Sequence, residues 1–331
     1  MARKSLNNNL AKAKKNKNDE FYTQLVDIEN ELKHYKNHFK DKTVYCNCDD
    51  PRVSNFFHYF SYNFENLGLK KLITTCYKNQ NMELFSQNSS ERAIYLEYNG
   101  DKNGDKVPNP TEIGIKLLKG DGDFRSPESI ELLQQADIVV TNPPFSLFRE
   151  YVAQLVEYNK KFLIIGDQNA IAYKEIFKLI KENKIWLGVD NGGTKWFQVP
   201  NHYNIKTESR KKTENGIQYF SKGSIVWFTN LDHDKRHENL ILYKTYNEAE
   251  YPKYDNYDAI NVDKTADIPI DYQGAMGVPI TFLDKYNPDQ FEILGMDDHR
   301  LQYPEWRGRG PDLNGKAIYR RVIISNKKPK I

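Results

Sequence analysis

The centre of the chain alternates between apolar runs of strand length and amphipathic segments of helix length, and this alternation limits the possible folds more than any other feature. Runs at 137–141, 161–166 and 185–189 predict strands, and segments at 147–159 and 173–183 predict helices. Nearly continuous apolar strands separated by amphipathic helices indicate a parallel sheet with both faces covered. We therefore predict an α/β fold that binds its ligands at the carboxyl ends of these strands.

The segments before the central alternation predict further strands and helices, whereas the segment after it has no regular pattern. Runs at 43–48 and 71–77 predict two more strands, and 53–67 carries apolar and aromatic residues at helical spacing, most of which we expect in the core. The polar segment 79–111 predicts excursion loops with one short hairpin. After about residue 200 the pattern becomes irregular and rich in aromatic residues, which predicts an appended region of strands and loops.

Positive charge is concentrated at the two ends of the chain. Residues 1–18 hold six Lys and Arg and no acid, although the whole chain carries only +3. The last 33 residues hold nine cations against two acids. Basic ends on a near-neutral body suit a polyanion such as nucleic acid, although a solubilising tail has the same composition. We divide the chain into a basic flexible arm (1–18), a body (19–200) and a C-terminal region (201–331).

Cysteine usage and hydropathy favour a cytoplasmic protein. Cys46, Cys48 and Cys76 do not form a disulfide framework, and no run approaches the roughly 18 apolar residues of a membrane span. Cys46 and Cys48 lack further partners at the spacing of a zinc site. His233 and His237 lie in a highly charged segment that favours a solvated turn. We expect no metal.

The motif Asn142-Pro143-Pro144-Phe145 directly follows the predicted strand 137–141. The two prolines restrict the backbone and remove two N–H donors, so the loop can aim the Asn142 side-chain oxygen and the Pro143 carbonyl at one point. Two such acceptors suit the N6 amine of adenine, because they can take both hydrogens and leave a directed lone pair on nitrogen. The alternative is a proline turn that ends a strand with an aromatic plug.

Together with this strand, the motif resembles the catalytic motif of amino-methyltransferases. The chain from about residue 10 to 295 resembles the EcoRI-type adenine-specific DNA methyltransferases, through segments 19–24, 44–57, 120–126 and 276–282. The resemblance implies a Rossmann-like, S-adenosylmethionine-dependent sheet with an appended target-recognition region. It also implies methyl transfer to adenine N6 in double-stranded DNA, with Asn142, Pro143, Pro144 and Phe145 as catalytic residues.

Carried over residue by residue, the resemblance implies cofactor contacts in three segments: Phe21, Tyr22 and Thr23; Asp50, Pro51 and Ser54; and Asp123 and Phe124. The first segment contacts the methionine part of the cofactor, and the Asp123 carboxylate accepts a hydrogen bond from its adenine amine. Ser54 stands where the family pattern has glycine. Phe197 is the candidate that stacks on an extruded target base, and Trp196 is its rival.

The resemblance places the chain in a restriction–modification system, with a cognate endonuclease as partner, or makes it a solitary modifier. We expect a monomer that recognises a GAATTC-like site. Methylation of protein glutamine or of RNA is the first alternative, because those enzymes use similar Asn-Pro-Pro-aromatic loops. The long region after residue 200 favours DNA recognition instead. A catalytically silent nucleic-acid-binding protein is the second alternative, and the intact motif disfavours it.

Overall fold

A computed structural model describes residues 22–48, 54–75, 93–105, 108, 112–199, 207–296 and 311–330. The basic arm 1–18 and the predicted cofactor residues Phe21, Asp50 and Pro51 lie outside the described residues. The chain forms two compact units, one of Met1–Gln168 with Asp190–Leu231 and the other of Asn169–Val189 with Asp232–Ile331. The functional division at residues 18 and 200 stays a prediction.

The described part of the chain contains six α-helices and eighteen strands, joined by short 3₁₀ turns. The helices are α1 (Leu25–Leu32), α2 (Asn55–Tyr62), α3 (Phe64–Leu67), α4 (Pro127–Gln135), α5 (Phe148–Glu157) and α6 (Lys174–Lys181). The strands are β1 (Tyr22–Thr23), β2 (Thr43–Cys46), β3 (Lys71–Thr75), β4 (Ile94–Tyr98), β5 (Gly114–Leu117), β6 (Ile138–Thr141), β7 (Lys161–Asp167), β8 (Trp186–Leu187), β9 (Lys195–Val199), β10 (Lys211–Glu214), β11 (Ile217–Lys222), β12 (Ile225–Thr229), β13 (Ile260–Asn261), β14 (Met276–Pro279), β15 (Phe291–Met296), β16 (Asp312–Leu313), β17 (Lys316–Ala317) and β18 (Arg321–Asn326).

The first unit is built on a large sheet whose strands run in the order β5-β4-β3-β2-β6-β7-β12. The α/β fold is confirmed, and four of the predicted strands form the parallel centre of a sheet whose outer strands are antiparallel. Only β3, β2, β6 and β7 are parallel, whereas β4, β5 and β12 pair antiparallel. The parallel strands β2 and β6 are buried along their whole length, which is why their sequences are continuously apolar.

The predicted helix 53–67 is two helices, because the chain breaks at Asn63. The Asn63 side chain donates to the Tyr59 carbonyl at 2.8 Å, and the Asn63 backbone amide donates to the same carbonyl at 3.1 Å, so Asn63 closes the last turn of α2. The aromatic residues of this segment belong to the core, as predicted, with Phe56 and Phe60 at most 1% exposed. These aromatic side chains belong to the helical layer that covers one face of the sheet.

Gly166 in β7 marks a place where the core has no room for a side chain. A Cβ there would lie 2.6 Å from a ring atom of Phe148 and 2.8 Å from a ring atom of Phe228. Both rings are buried and pack against each other with centroids 5.0 Å apart, so neither can move freely.

We expect Gly166→Ala to lower the free energy of unfolding by about 1–3 kcal/mol, because the added methyl overpacks the core. Urea unfolding checks this expectation. Gly114→Ala is the matched control in another strand of the same sheet, since its Cβ would meet only the Glu97 carbonyl at 3.8 Å. Equal stability of the two variants would contradict the packing argument.

A smaller antiparallel sheet in the first unit has the order β1-β9-β11-β10. Tyr22 lies opposite Gln198 and Thr23 opposite Phe197, while Phe220 of β11 lies on the other side of Phe197. The Lys195 ammonium is 4% exposed and pairs with Asp190 at 2.7 Å, which fixes the start of β9. The predicted cofactor segment and the predicted base-stacking residue therefore belong to one sheet.

The second unit contains α6 and the sheet β13-β14-β18-β15, and its structure after residue 200 is strands and loops, as predicted. The expected solvated turn at 233–237 is only half correct. His237 is exposed, but His233 is 6% exposed and its Nε2 hydrogen-bonds to the Leu187 carbonyl at 3.0 Å. Burial lowers the pKa of His233. None of the helices that the structure describes has the length and apolar character needed to span a membrane.

Candidate active site

The predicted catalytic loop begins where β6 ends. Because β6 lies between the parallel strands β2 and β7, this is the carboxyl edge at which open α/β sheets bind ligands. Asn142 is 8% exposed and Pro143 is buried, while Pro144 and Phe145 are half-buried. The Pro144 carbonyl accepts from the Leu147 amide at 2.9 Å and starts the turn that leads into α5. The loop is thus fixed at both ends by regular structure.

A hydrogen-bonded bridge behind this loop joins two strand ends and a helix. The Thr141 hydroxyl donates to the Asn47 carbonyl, and the Tyr151 hydroxyl donates to Asn47 Oδ1. Burial raises the pKa of Tyr151, so its phenol keeps the proton that it donates. Asn47 is a site residue that no sequence motif predicts, although it follows β2 as Asn142 follows β6. The bridge makes the ends of β2 and β6 one support for the loop.

The Asp123 carboxylate forms a bidentate ion pair with Arg125, which the sequence motifs do not predict. Arg125 donates from Nε to Asp123 Oδ1 at 2.9 Å and from Nη2 to Oδ2 at 2.6 Å, and its backbone amide donates to Oδ1 at 2.9 Å. Burial alone would raise the pKa of Asp123, but these bonds and the guanidinium charge lower it. Asp123 is therefore an ionised acceptor at neutral pH.

Helix α5 holds the Asp123 segment beside the catalytic loop. The Arg125 guanidinium contacts Glu150 at 2.9 Å, and the Phe124 carbonyl accepts from Gln154 at 3.0 Å. The Phe124 ring meets Tyr151 edge-on, with centroids 5.1 Å apart. Since α5 begins directly after the Phe145 turn, one helix positions both predicted parts of the site.

The described parts of the other two cofactor segments lie next to each other. The Asn55 side chain, at the start of α2, donates to the Thr23 carbonyl at 2.7 Å. Ser54 precedes it and is buried, with φ −68° and ψ 121°. Serine adopts this extended backbone without strain, so the backbone conformation at this residue does not require glycine. The left-handed backbone is instead at Cys48, with φ 81°, directly after the bridging Asn47.

An ion pair lies over the ring of Phe145. The Lys222 ammonium is 4.2 Å from the ring centroid and 3.2 Å from Asp167 Oδ2. Asp167 is the last residue of β7, so its carboxylate belongs to the same sheet edge as Asn142. Lys222 ends β11 and connects the small sheet to the catalytic loop. The attraction between the cation and the ring orients Phe145.

The two candidates for base stacking lie on opposite faces of β9. Phe197 lies opposite Phe220 and Lys195 opposite Lys222, so Phe197 shares a face with the lysine that reaches Phe145. Phe197 is fully buried, and a base could contact it only after a rearrangement that exposes the ring. Trp196 is half-buried on the other face.

In the described residues, no group of three or more His, Cys, Asp or Glu side chains is arranged to hold a metal ion. The chemistry that the arrangement can perform uses oxygen acceptors, a rigid loop and an aromatic face. The amide of Asn142, the carbonyl of Pro143 and the ring of Phe145 belong to one tetrapeptide, and an ionised carboxylate lies on the segment that α5 holds beside it.

Comparison with known proteins identifies the family. The family described as "Adenine-specific methyltransferase EcoRI" matches residues 9–327. Type II methyltransferase M.EcoRI of Escherichia coli is 55% identical, over 99% of this chain and 99% of that protein. Type II methyltransferases M.MgeORF184P of Mycoplasma genitalium and M.MpnI of Mycoplasma pneumoniae are 41% and 42% identical, each over 96% of this chain and 98% of the relative. No solved structure gives a significant match. The chain belongs to the EcoRI family of adenine-specific methyltransferases and is itself a methyltransferase of the restriction–modification type.

Proposed function

We propose that this enzyme transfers a methyl group from S-adenosylmethionine to the N6 amine of adenine in double-stranded DNA, within a GAATTC-like site. The observation that carries the proposal is the Asn142-Pro143-Pro144-Phe145 loop at the carboxyl edge of the parallel strands. Residues 19–200 would form its Rossmann-like catalytic domain, and residues 201–331 would recognise the target. We propose a monomer that works beside a cognate restriction endonuclease.

The catalytic loop would act through hydrogen-bond acceptors placed before the substrate arrives. Asn142 Oδ1 and the Pro143 carbonyl would accept the two hydrogens of the N6 amine and direct its lone pair outward. Phe145 would stack on the base and hold it in line. Because Asn142 is nearly buried and its loop is rigid, these dipoles need little reorganisation during the reaction.

The residues present fit the cofactor. When bound, S-adenosylmethionine supplies a methyl group activated by a sulfonium. Asp123 is ionised, and its oxygens keep lone pairs beyond the three bonds from Arg125, so it can accept from the adenine amine of the cofactor. Phe21, Tyr22 and Thr23 would hold the methionine part, and Asp50, Pro51, Ser54 and Phe124 would complete the site.

Analysis of the reaction product tests the proposal directly. Incubation with duplex DNA and labelled cofactor, followed by mass spectrometry of the digested nucleosides, should give N6-methyladenine. Sequencing DNA from cells that express the enzyme would locate the modified base. Label found only in methylcytosine, in RNA or in protein would refute the proposal.

We expect Asp123→Ala to weaken cofactor binding while turnover at saturating cofactor changes little. The reason is that the carboxylate is assigned to the cofactor and not to the N6 amine of the target adenine in DNA. Isothermal titration with S-adenosylmethionine measures the affinity, and a decrease of about tenfold corresponds to one charge-assisted hydrogen bond. Glu131→Ala, which removes an exposed carboxylate on α4, is the control. Equal affinities of the two variants would remove Asp123 from the cofactor site.

Extrusion of the target base is the step that the acceptor geometry requires. A paired adenine uses one N6 hydrogen for thymine, so Asn142 and Pro143 can take both only after the base leaves the duplex. 2-Aminopurine at the target position should become more fluorescent when the enzyme binds. Stacking on an aromatic ring quenches that signal, so Phe197→Ala should give a larger rise than the wild type if Phe197 clamps the base. No rise in either protein, with saturating enzyme and cofactor, would contradict extrusion.

A further inference from the structure

The small sheet has an outer face whose residues, apart from the proposed cofactor residue Tyr22 opposite Gln198, have no part in the proposed reaction. Trp196 of β9 lies opposite Ser221, and Gln198 lies opposite Tyr219, so Trp196 and Tyr219 are diagonal neighbours on one face. Lys212 of β10 lies directly opposite Tyr219 on that face. All three side chains are half-buried. We call Trp196, Lys212 and Tyr219 the outer face.

The lysine of the outer face lies close to both rings. Its ammonium is 5.0 Å from the centroid of Trp196 and 5.1 Å from the centroid of Tyr219. The Lys212 side chain remains 36% exposed, and its ion pair with Glu214 spans 3.1 Å between exposed groups. Such a pair stabilises little, so the ammonium can exchange the carboxylate for another anion. The exposed cations Arg210 and Lys211 precede it in the chain.

The opposite face of the same sheet fixes where this surface lies. Lys222, at the end of β11, is on the face of Phe197 and reaches the Phe145 ring at 4.2 Å. Ser221, opposite Trp196, is the residue before it. The outer face therefore borders the catalytic loop but is turned away from the Phe145 ring, so Trp196 cannot share a pocket with a base stacked there.

We propose that the outer face is a contact surface for the DNA strand that flanks the target adenine, with Trp196 and Tyr219 against sugars and Lys212 on a phosphate. The backbone of a duplex exposes sugars and anionic phosphate oxygens a few ångströms apart, and the outer face offers aromatic rings to the first and an ammonium to the second. The inference rests on the proposed function, because it needs duplex DNA at the catalytic loop. It assigns Trp196 to the flanking DNA and not to the target base.

Salt-dependent binding of Lys212→Gln tests the phosphate contact. Fluorescence anisotropy with a duplex that contains the target site should show weaker binding, and the slope of log K against log salt should flatten by about 0.9. Turnover at saturating DNA and cofactor affinity should not change. Lys116→Gln is the matched control, because Lys116 also pairs with a glutamate and lies 5.2 Å over a tyrosine ring, on an edge strand at the far end of the large sheet.

Two further variants separate DNA binding from a defect in folding. Glu214→Gln releases the Lys212 ammonium and should tighten DNA binding, an effect that misfolding cannot produce; Glu97→Gln controls for the change in net charge. Trp196→Ala should weaken binding about tenfold because it removes an apolar contact surface, and the salt slope should stay the same because no charge is lost.

The inference is overturned if Lys212→Gln gives the same slope as Lys116→Gln, or if Glu214→Gln binds no tighter than Glu97→Gln. A wild-type enzyme that neither binds nor methylates duplex DNA is a different result, because it refutes the proposed function itself.

Discussion

Replacing Asn142 by alanine is expected to lower kcat by roughly 10²-fold or more, which is the decrease seen when one preorganised polar group is removed from an active site. The change deletes one of the two proposed acceptors for the N6 amine. The other acceptor is a backbone carbonyl that the substitution leaves in place. Cofactor affinity should change little, because Asn142 is not assigned to the cofactor. Single-turnover methylation of a duplex at saturating enzyme measures the effect without interference from product release.

The loop itself offers the control. Ser146 is exposed in the turn that follows Phe145, and Ser146→Ala should keep near-normal turnover. Thermal melting of both variants shows whether the fold is intact. Near-normal turnover of Asn142→Ala, with an intact fold, would mean that the catalytic assignment is wrong.

Deleting residues 2–17 is expected to weaken binding to specific and non-specific DNA alike. The deletion removes six cations from a chain whose remainder is net negative, and phosphate binding by such an arm carries no sequence information. The slope of log K against log salt should flatten by about 0.9 for each phosphate that the arm no longer neutralises, and so by about five if all six cations bind phosphates. Anisotropy titrations over a range of salt concentrations measure this slope.

A variant in which the six Lys and Arg of the arm become Gln separates charge from length. It should bind as weakly as the deletion, because the arm is proposed to act through its charges. An unchanged slope in both variants would show that the arm is a solubilising tail.

Much of the central fold could be predicted because burial dictates it. A strand covered on both faces must be apolar at every position, and β6 and β7 are predicted within one residue at each end. The antiparallel strands could not be read in this way. β4 alternates between buried and half-buried residues in the polar segment 79–111, where the sequence predicts loops and one short hairpin, and its partner β5 lies beyond that segment. β12 pairs with β7 across a long stretch of sequence.

Some residues of the candidate site are neighbours in the sequence, and others come together only in the fold. The motif Asn142–Phe145 is contiguous, so its proposed chemistry rests on four neighbouring residues. The partnership of Asn47 with Tyr151 spans 104 residues, and that of Lys222 with Phe145 joins two different sheets. No pattern in one sequence predicts such pairs. Arg125 is only two residues from Asp123, but only the folded turn shows that its guanidinium points back to the Asp123 carboxylate.

The bridge among Asn47, Thr141 and Tyr151 has a consequence for the entropy of substrate binding. All three residues are at most 5% exposed, and they tie two strand ends and a helix through buried hydrogen bonds. The conformational entropy of this edge therefore falls when the chain folds and not when a base arrives. Amide hydrogens here should exchange only through global unfolding, with or without ligands. The free energy released on binding DNA is then available for extracting the adenine, since none of it is needed to order the atoms that receive it.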